Sequence, residues 1–65
     1  MITVNGEQRD LPAGTSVETV VATLTPLRSG VAVALNDSVV PRAAWATTAV
    51  EDDDRLEVLT AVQGG

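Results

Sequence analysis

An α+β fold, with one main helix packed on one face of a mixed sheet of four to five strands, is predicted by three observations. Short runs of alternating apolar and polar residues stand at both ends of the chain and in its middle. One stretch alone has apolar residues at helical spacing. Tight-turn dipeptides, Asn5-Gly6 and Asn36-Asp37, separate the alternating runs in pairs, as they do in hairpins.

Ile2 and Val4 alternate with Thr3 and Asn5, the period-two pattern of a half-buried strand. Asn5-Gly6 tolerates positive φ and predicts a tight turn into a short second strand over residues 7–11, which Pro12-Ala13-Gly14 breaks. Thr15 followed three residues on by Glu18 reads as a capping box at a helix start. Val17, Val20, Val21 and Leu24 then recur on one helical face and stop before Pro26. β-Branched residues weaken helix propensity, so packing against a sheet must hold this helix. Val31, Val33 and Leu35 alternate with Ala32 and Ala34, and Asn36-Asp37 turns the chain into a strand over residues 38–40, closed by Pro41. Residues 42–50 read as irregular or one helical turn, because most of their apolar side chains are alanines. Asp52-Asp53-Asp54 reads as a turn, and residues 56–62 as the last strand.

The order is therefore hairpin, helix, two strands, final strand. With the first and last strands parallel at the sheet centre, the helix lies in a right-handed crossover on one face, which is the β-grasp arrangement. Residues 1–62 are expected to form one domain and residues 63–65 a flexible tail. By parity Ile2, Val4, Val33, Leu35, Leu56 and Val58 face the helix. Thr3, Ala32, Ala34 and Leu59 face outward, an apolar and nearly flat surface that a partner could cover.

A chain of 65 residues buries only about 60% of its unfolded surface, and this one fills its core with Val, Ala and Leu around a lone aromatic, Trp45. A deep ring-lined cofactor pocket is not expected. Nine acidic against four basic residues give a net charge of −5, which repels phosphate backbones and anionic membranes and argues against nucleic-acid or membrane partners. The strand pattern begins directly after Met1, no apolar run is long enough to span a bilayer, and cysteine is absent; a cytoplasmic protein is the expectation. Histidine and lysine are absent too, so Ser16, Ser29 and Ser38 have no imidazole partner, and autonomous nucleophilic or Schiff-base catalysis is excluded. Glu51, Asp52, Asp53 and Asp54 could coordinate a hard cation or form an acid–base pair, but consecutive residues in a tight turn do not converge, and a solvated turn, compatible with docking on a basic partner, is the favoured reading. Trp45 is expected to plug a loop, while Arg42 is divided between a local carboxylate and a partner's anion.

The chemically distinctive group is the carboxylate after Gly64-Gly65. A tail without side chains can enter a narrow active site of another protein, and residues 62–65 extended would reach about 13 Å. Ionised, the carboxylate is a poor electrophile; adenylation with ATP would make it attackable by sulfur or nitrogen. The tail would then be a substrate and the chain a carrier.

Ile2-Thr3-Val4-Asn5-Gly6-Glu7, Val31-Ala32-Val33-Ala34-Leu35-Asn36, Val40-Pro41-Arg42 with Trp45, and Arg55-Leu56-Glu57-Val58-Leu59-Thr60-Ala61-Val62-Gln63-Gly64-Gly65 together resemble the ThiS family of ubiquitin-like, thiamin-pathway sulfur carriers. The resemblance covers the whole chain and is most specific in the last block. It implies a β-grasp fold, no bound cofactor or metal, and ATP consumed by a ThiF-type adenylating enzyme. It implies that Gly65 carries first the adenylate and then a thiocarboxylate, with sulfur drawn from cysteine through a donor such as a cysteine desulfurase and delivered to a thiazole synthase of the ThiG type. Gly64 and Gln63 would give the tail access, and Ala32, Ala34, Leu59, Arg42 and Val62 are the candidate docking residues. Asp53 departs from the family, which commonly has Gly there, and Asp tolerates the same left-handed turn. The molybdopterin-synthase small subunit is the nearest alternative, though those chains usually run longer and generally lack the segment from Val40 to Trp45. Carriers for other sulfur metabolites and a non-covalent β-grasp interaction module are the other readings; blocking the C-terminus separates the last of these from any carrier.

Overall fold

The computed structural model describes residues 1–26 and 29–60. Strands β1 (Ile2–Val4), β2 (Glu7–Arg9), β3 (Val31–Leu35), β4 (Ser38–Val39) and β5 (Arg55–Thr60) form one sheet in the order β2-β1-β5-β3-β4. β1 and β5 are parallel at its centre, and the other pairs are antiparallel. Helix α1 (Val17–Leu24) follows the first hairpin, and a 3₁₀ turn (Arg42–Ala44) follows the second. This is the β-grasp arrangement that the element order predicts.

Both hairpins close on two residues of positive φ. Asn5 and Gly6 stand at φ 50° and 83°, between the paired Val4 and Glu7; Asn36 and Asp37 stand at 50° and 71°, between Leu35 and Ser38. Two left-handed residues in succession match the twist of the flanking strands, and short polar side chains tolerate that conformation best after glycine. Asp53, at φ 69°, is a single left-handed residue in the turn before β5. Its N–H donates to the Met1 carbonyl at 2.8 Å, and the Asp54 carboxylate accepts from the Glu51 N–H at 2.8 Å.

The core consists of Ile2, Val4, Val33, Leu56 and Val58 from the sheet, Val17, Val20 and Val21 from α1, and Val40, Trp45 and Val50 from the connecting segments. The parity expected for β1, β3 and β5 is the parity found, with Leu35 and Val31 partly buried at the margin. Three boundaries differ from expectation. β4 ends at Val39 and not at residue 40, where Val40 turns into the core. β2 ends at Arg9 and not at residue 11. The last strand starts at Arg55, one residue before the predicted 56, and is described to Thr60, residues 61 and 62 lying outside the described residues.

The helix cap also differs. Ser16 rather than Thr15 is the N-cap, its Oγ accepting from the Thr19 N–H at 3.1 Å, while the Thr15 hydroxyl donates to the Pro12 carbonyl. No capping box forms: the Glu18 N–H, from which the Thr15 hydroxyl would accept, goes to the Trp45 carbonyl, and the Thr15 N–H, from which the Glu18 carboxylate would accept, goes to the Pro12 carbonyl, while the Val17 N–H goes to the Thr48 carbonyl. A short antiparallel bridge between Ser16 and Ala49 brings this connection in. The N–H groups of Val17, Glu18 and Thr19 in the first helical turn are therefore satisfied within the fold, and Val50 is carried into full burial beside them.

Candidate functional site

β5 is the strand that leads to residues 61–65. Its inward residues Leu56 and Val58 are buried, so Arg55, Glu57 and Leu59 project from the sheet face opposite α1. Directly paired residues share a face, and the register fixes the rows of that surface. Leu59 stands opposite Ala32; Glu57 stands opposite Ala34, which on its other side faces Val39. The two alanines leave a depression between larger side chains. The result is a groove of about 240 Å³ lined by Asn5, Ala32, Ala34, Val39, Glu57 and Leu59, with backbone of Val33 at its floor. Leu59 and Val39 are 71% and 78% exposed, and with Ala32 and Ala34 they make the groove an exposed apolar patch and not a single exposed side chain.

Two asparagines fasten β5 at this side of the sheet. Asn5 uses its side chain as a substitute strand residue: Oδ1 accepts from the Val58 N–H at 2.8 Å and Nδ2 donates to the Val58 carbonyl at 3.2 Å. These bonds prolong the β1–β5 ladder past the point where the turn takes the β1 backbone away. At the start of β5 Asn36 accepts from the Arg55 N–H at 2.9 Å and donates to the Asp54 carboxylate at 3.0 Å. The Arg55 guanidinium pairs with Asp37, which raises its pKa above the ordinary arginine value. That pairing draws the arginine toward the β3–β4 turn.

Of the candidate docking residues, Ala32, Ala34 and Leu59 are brought together on this face. Arg42 is not: its guanidinium lies 4.7 Å from the Trp45 ring centroid, on the helix side, where both line a separate groove of about 300 Å³ with Glu18, Val21, Ala22, Thr25 and Pro26. Although that groove is the larger, it is the open-face groove that adjoins β5 and is mostly apolar. Trp45 is a plug, 3% exposed with Nε1 donating to the Val40 carbonyl at 2.9 Å. Val62, Gln63, Gly64 and Gly65 lie outside the described residues.

Val39, Asn5 and Glu57 belong to the groove and were not among the candidates. A signal for Val39 existed, since counting outward from a two-residue Asn36-Asp37 turn pairs it with Ala34. The Asn5 side-chain bonds have no sequence signature. Among the described residues no group of three or more carboxylates converges as a metal site, and no helix is long and apolar enough to cross a membrane. The acidic turn is instead occupied with its own backbone and with the Met1 ammonium, which pairs with Asp52.

The model of the ThiS family matches residues 2–65. The chain belongs to the ThiS family. A thiazole synthase of Paramagnetospirillum magneticum is 36% identical over 64 residues, covering 98% of this chain; the chain spans only 20% of the length of that relative. The sulfur carrier protein ThiS of Escherichia coli is 31% identical over 64 residues, covering 98% of this chain and 97% of its own. Two solved structures from Geobacter metallireducens have the same fold at 33% identity. The crystal structure of its thiamine biosynthesis protein ThiS gives a TM-score of 0.75 over 98% of this chain and 97% of that one. The solution structure of a thiamine biosynthesis protein from that organism gives 0.79 over 98% and 86%. The β-grasp of this ThiS-family chain is thus the fold of structures that match it end to end. The relative of similar length is by its name a sulfur carrier protein.

Proposed function

We propose that this chain is a sulfur carrier of thiamine biosynthesis whose Gly65 carboxylate holds the sulfur. A carboxylate oxygen attacks the α-phosphorus of ATP in a ThiF-type enzyme, pyrophosphate leaves, and the resulting acyl adenylate loses AMP to a sulfur nucleophile supplied by a donor such as a cysteine desulfurase. The thiocarboxylate then gives its sulfur to a thiazole synthase. The family match through residues 2–65, Gly64 and Gly65 included, is the observation that carries this reading. The occurrence of a similar segment within a thiazole synthase supports that partner.

The chain's own part in the chemistry is to present and to position. Its sequence holds no thiol, imidazole or lysine amine with which to activate the carboxylate itself, so activation falls to the partner. The open-face groove would seat the partner beside β5 while the tail enters its active site. Deleting Gly65 tests the reading: pyrophosphate exchange into ATP by the activating enzyme should require the intact chain and vanish with the deletion, whereas undiminished exchange would remove Gly65 from the chemistry.

A further inference from the structure

Both asparagines of the sequence stand in left-handed turns, and only Asn5 is followed by glycine. An Asn-Gly pair carries a latent reaction of its own. The carboxamide carbon is an electrophile, the next backbone nitrogen can close on it in a five-membered ring, and glycine has no side chain to hinder the approach. At Gly6 the nucleophile is open: apart from its chain neighbours nothing lies within 4 Å of where a Cβ would stand, and among the described residues its N–H has no acceptor. The electrophile is the part that the fold holds. Asn5 Oδ1 accepts from the Val58 N–H at 2.8 Å and Nδ2 donates to the Val58 carbonyl at 3.2 Å, so the carboxamide is fastened to another strand through both of its heteroatoms. Ring closure must turn that group onto Gly6, and both bonds break when it does. The Asn36 carboxamide is likewise held, by Arg55 and Asp54, but the residue after it is Asp37, whose Cβ crowds the attacking nitrogen.

We propose that Asn5-Gly6 is a site of covalent modification, a deamidation that β5 restrains and that disables the open face once it has occurred. The Gly6 nitrogen, its proton lost to water, attacks Asn5 Cγ. The N–C bond forms, the Cγ–Nδ2 bond breaks, and ammonia leaves with a proton taken from water. Water then opens the cyclic imide at either carbonyl, giving aspartate or isoaspartate. Either product sets a carboxylate where a carboxamide stood. It can still accept from the Val58 N–H but has no N–H to give the Val58 carbonyl, and its charge joins that of Glu57 in the lining of the groove. Isoaspartate also adds a carbon to the backbone of a two-residue turn whose length sets the register of β1 and β2. The restraint is one of population, since the folded chain reacts only through the fraction in which the turn has opened.

The folded chain and the chain in guanidinium chloride are held at the same mildly alkaline pH, and peptide mass mapping follows the mass gain of an NH2-for-OH exchange at each asparagine. Conversion should concentrate at Asn5 and run at least about tenfold slower in the folded chain, the factor expected where two hydrogen bonds must break. Equal or faster conversion in the folded chain, or conversion led by Asn36 in the denaturant, would overturn the assignment. The converted chain, separated by its added charge and refolded, is then titrated calorimetrically with a ThiF-type enzyme beside the unaltered chain and Leu59→Asp. This arm rests on the proposed docking at the open face. Affinity of the converted chain should fall at least about fivefold. Unchanged affinity while Leu59→Asp weakens binding would overturn the claim that the modification disables the face; affinity unchanged by both would instead overturn docking at that face, and the conversion rates would decide the modification site without it.

Discussion

Replacing Leu59 by Asp should abolish partner binding before it disturbs the fold. Leu59 is 71% exposed, so less than a third of its side chain is removed from water in the free chain. Full burial of a leucine contributes about 1.5–3 kcal/mol, and the loss here should stay below about 1 kcal/mol, a fall in Tm of no more than about 4–8 °C for a domain of this size. The neighbouring Val58, 7% exposed and inward, is the control for parity. Val58→Asp places an unpaired carboxylate in the core, at several kcal/mol against a total of about 5 kcal/mol for so small a domain, and should unfold it. Against a closed interface the Leu59→Asp carboxylate is buried unpaired, and a loss above about 2 kcal/mol, near 30-fold in Kd, is expected. Thermal unfolding by circular dichroism and calorimetric titration with the activating enzyme and a thiazole synthase read the two effects separately. Unfolding of the Leu59 variant, or affinity unchanged by it, would refute the assignment of the open face; binding that then weakened with salt would point to the acidic turn at residues 51–54.

Asn5→Ala removes both side-chain bonds to Val58 and leaves an alanine at φ 50°, so denaturant titration should show a loss of about 2–3 kcal/mol, with Asn5→Gly losing less because it relieves the backbone. Asp53→Gly, at φ 69°, should raise stability by on the order of 1 kcal/mol and Tm by a few degrees; a fall in Tm would mean that the carboxylate contributes more than the turn conformation costs. Gly64→Val adds a branched side chain where a partner's cleft must close on bare backbone. It should leave Tm unchanged and stop adenylation, and undiminished adenylation would show that the tail is not threaded through a narrow channel.

The sheet was legible because two periodicities were strong. Alternation in β1, β3 and β5 set which residues are buried, and Asn5-Gly6 and Asn36-Asp37 set the hairpin registers, so the open face with Ala32, Ala34 and Leu59 followed from parity alone. What failed was decided by contacts distant in sequence. Thr15 and Glu18 have the spacing of a capping box, but the Trp45 carbonyl takes the Glu18 N–H that such a box would use, and Ser16 becomes the cap. Val50 sits in a stretch without helical or strand period, and becomes core because the bridge from Ser16 to Ala49 turns it inward. Arg42 carries no pattern that fixes its face, and the 3₁₀ turn over Trp45 puts it on the helix side. Of the candidate site, Gly65 as the proposed carrier residue and Gly64 as its access come from the sequence, while Val39 and Asn5 needed the folded register.

Intact mass spectrometry of the chain after incubation with a ThiF-type enzyme, ATP and a sulfur source tests the carrier claim most directly. Exchange of one carboxylate oxygen for sulfur should add about 16 Da, and fragmentation should place the added mass on Gly65. An unchanged mass in a system that releases pyrophosphate with this chain, or sulfur found on any other residue, would contradict the account.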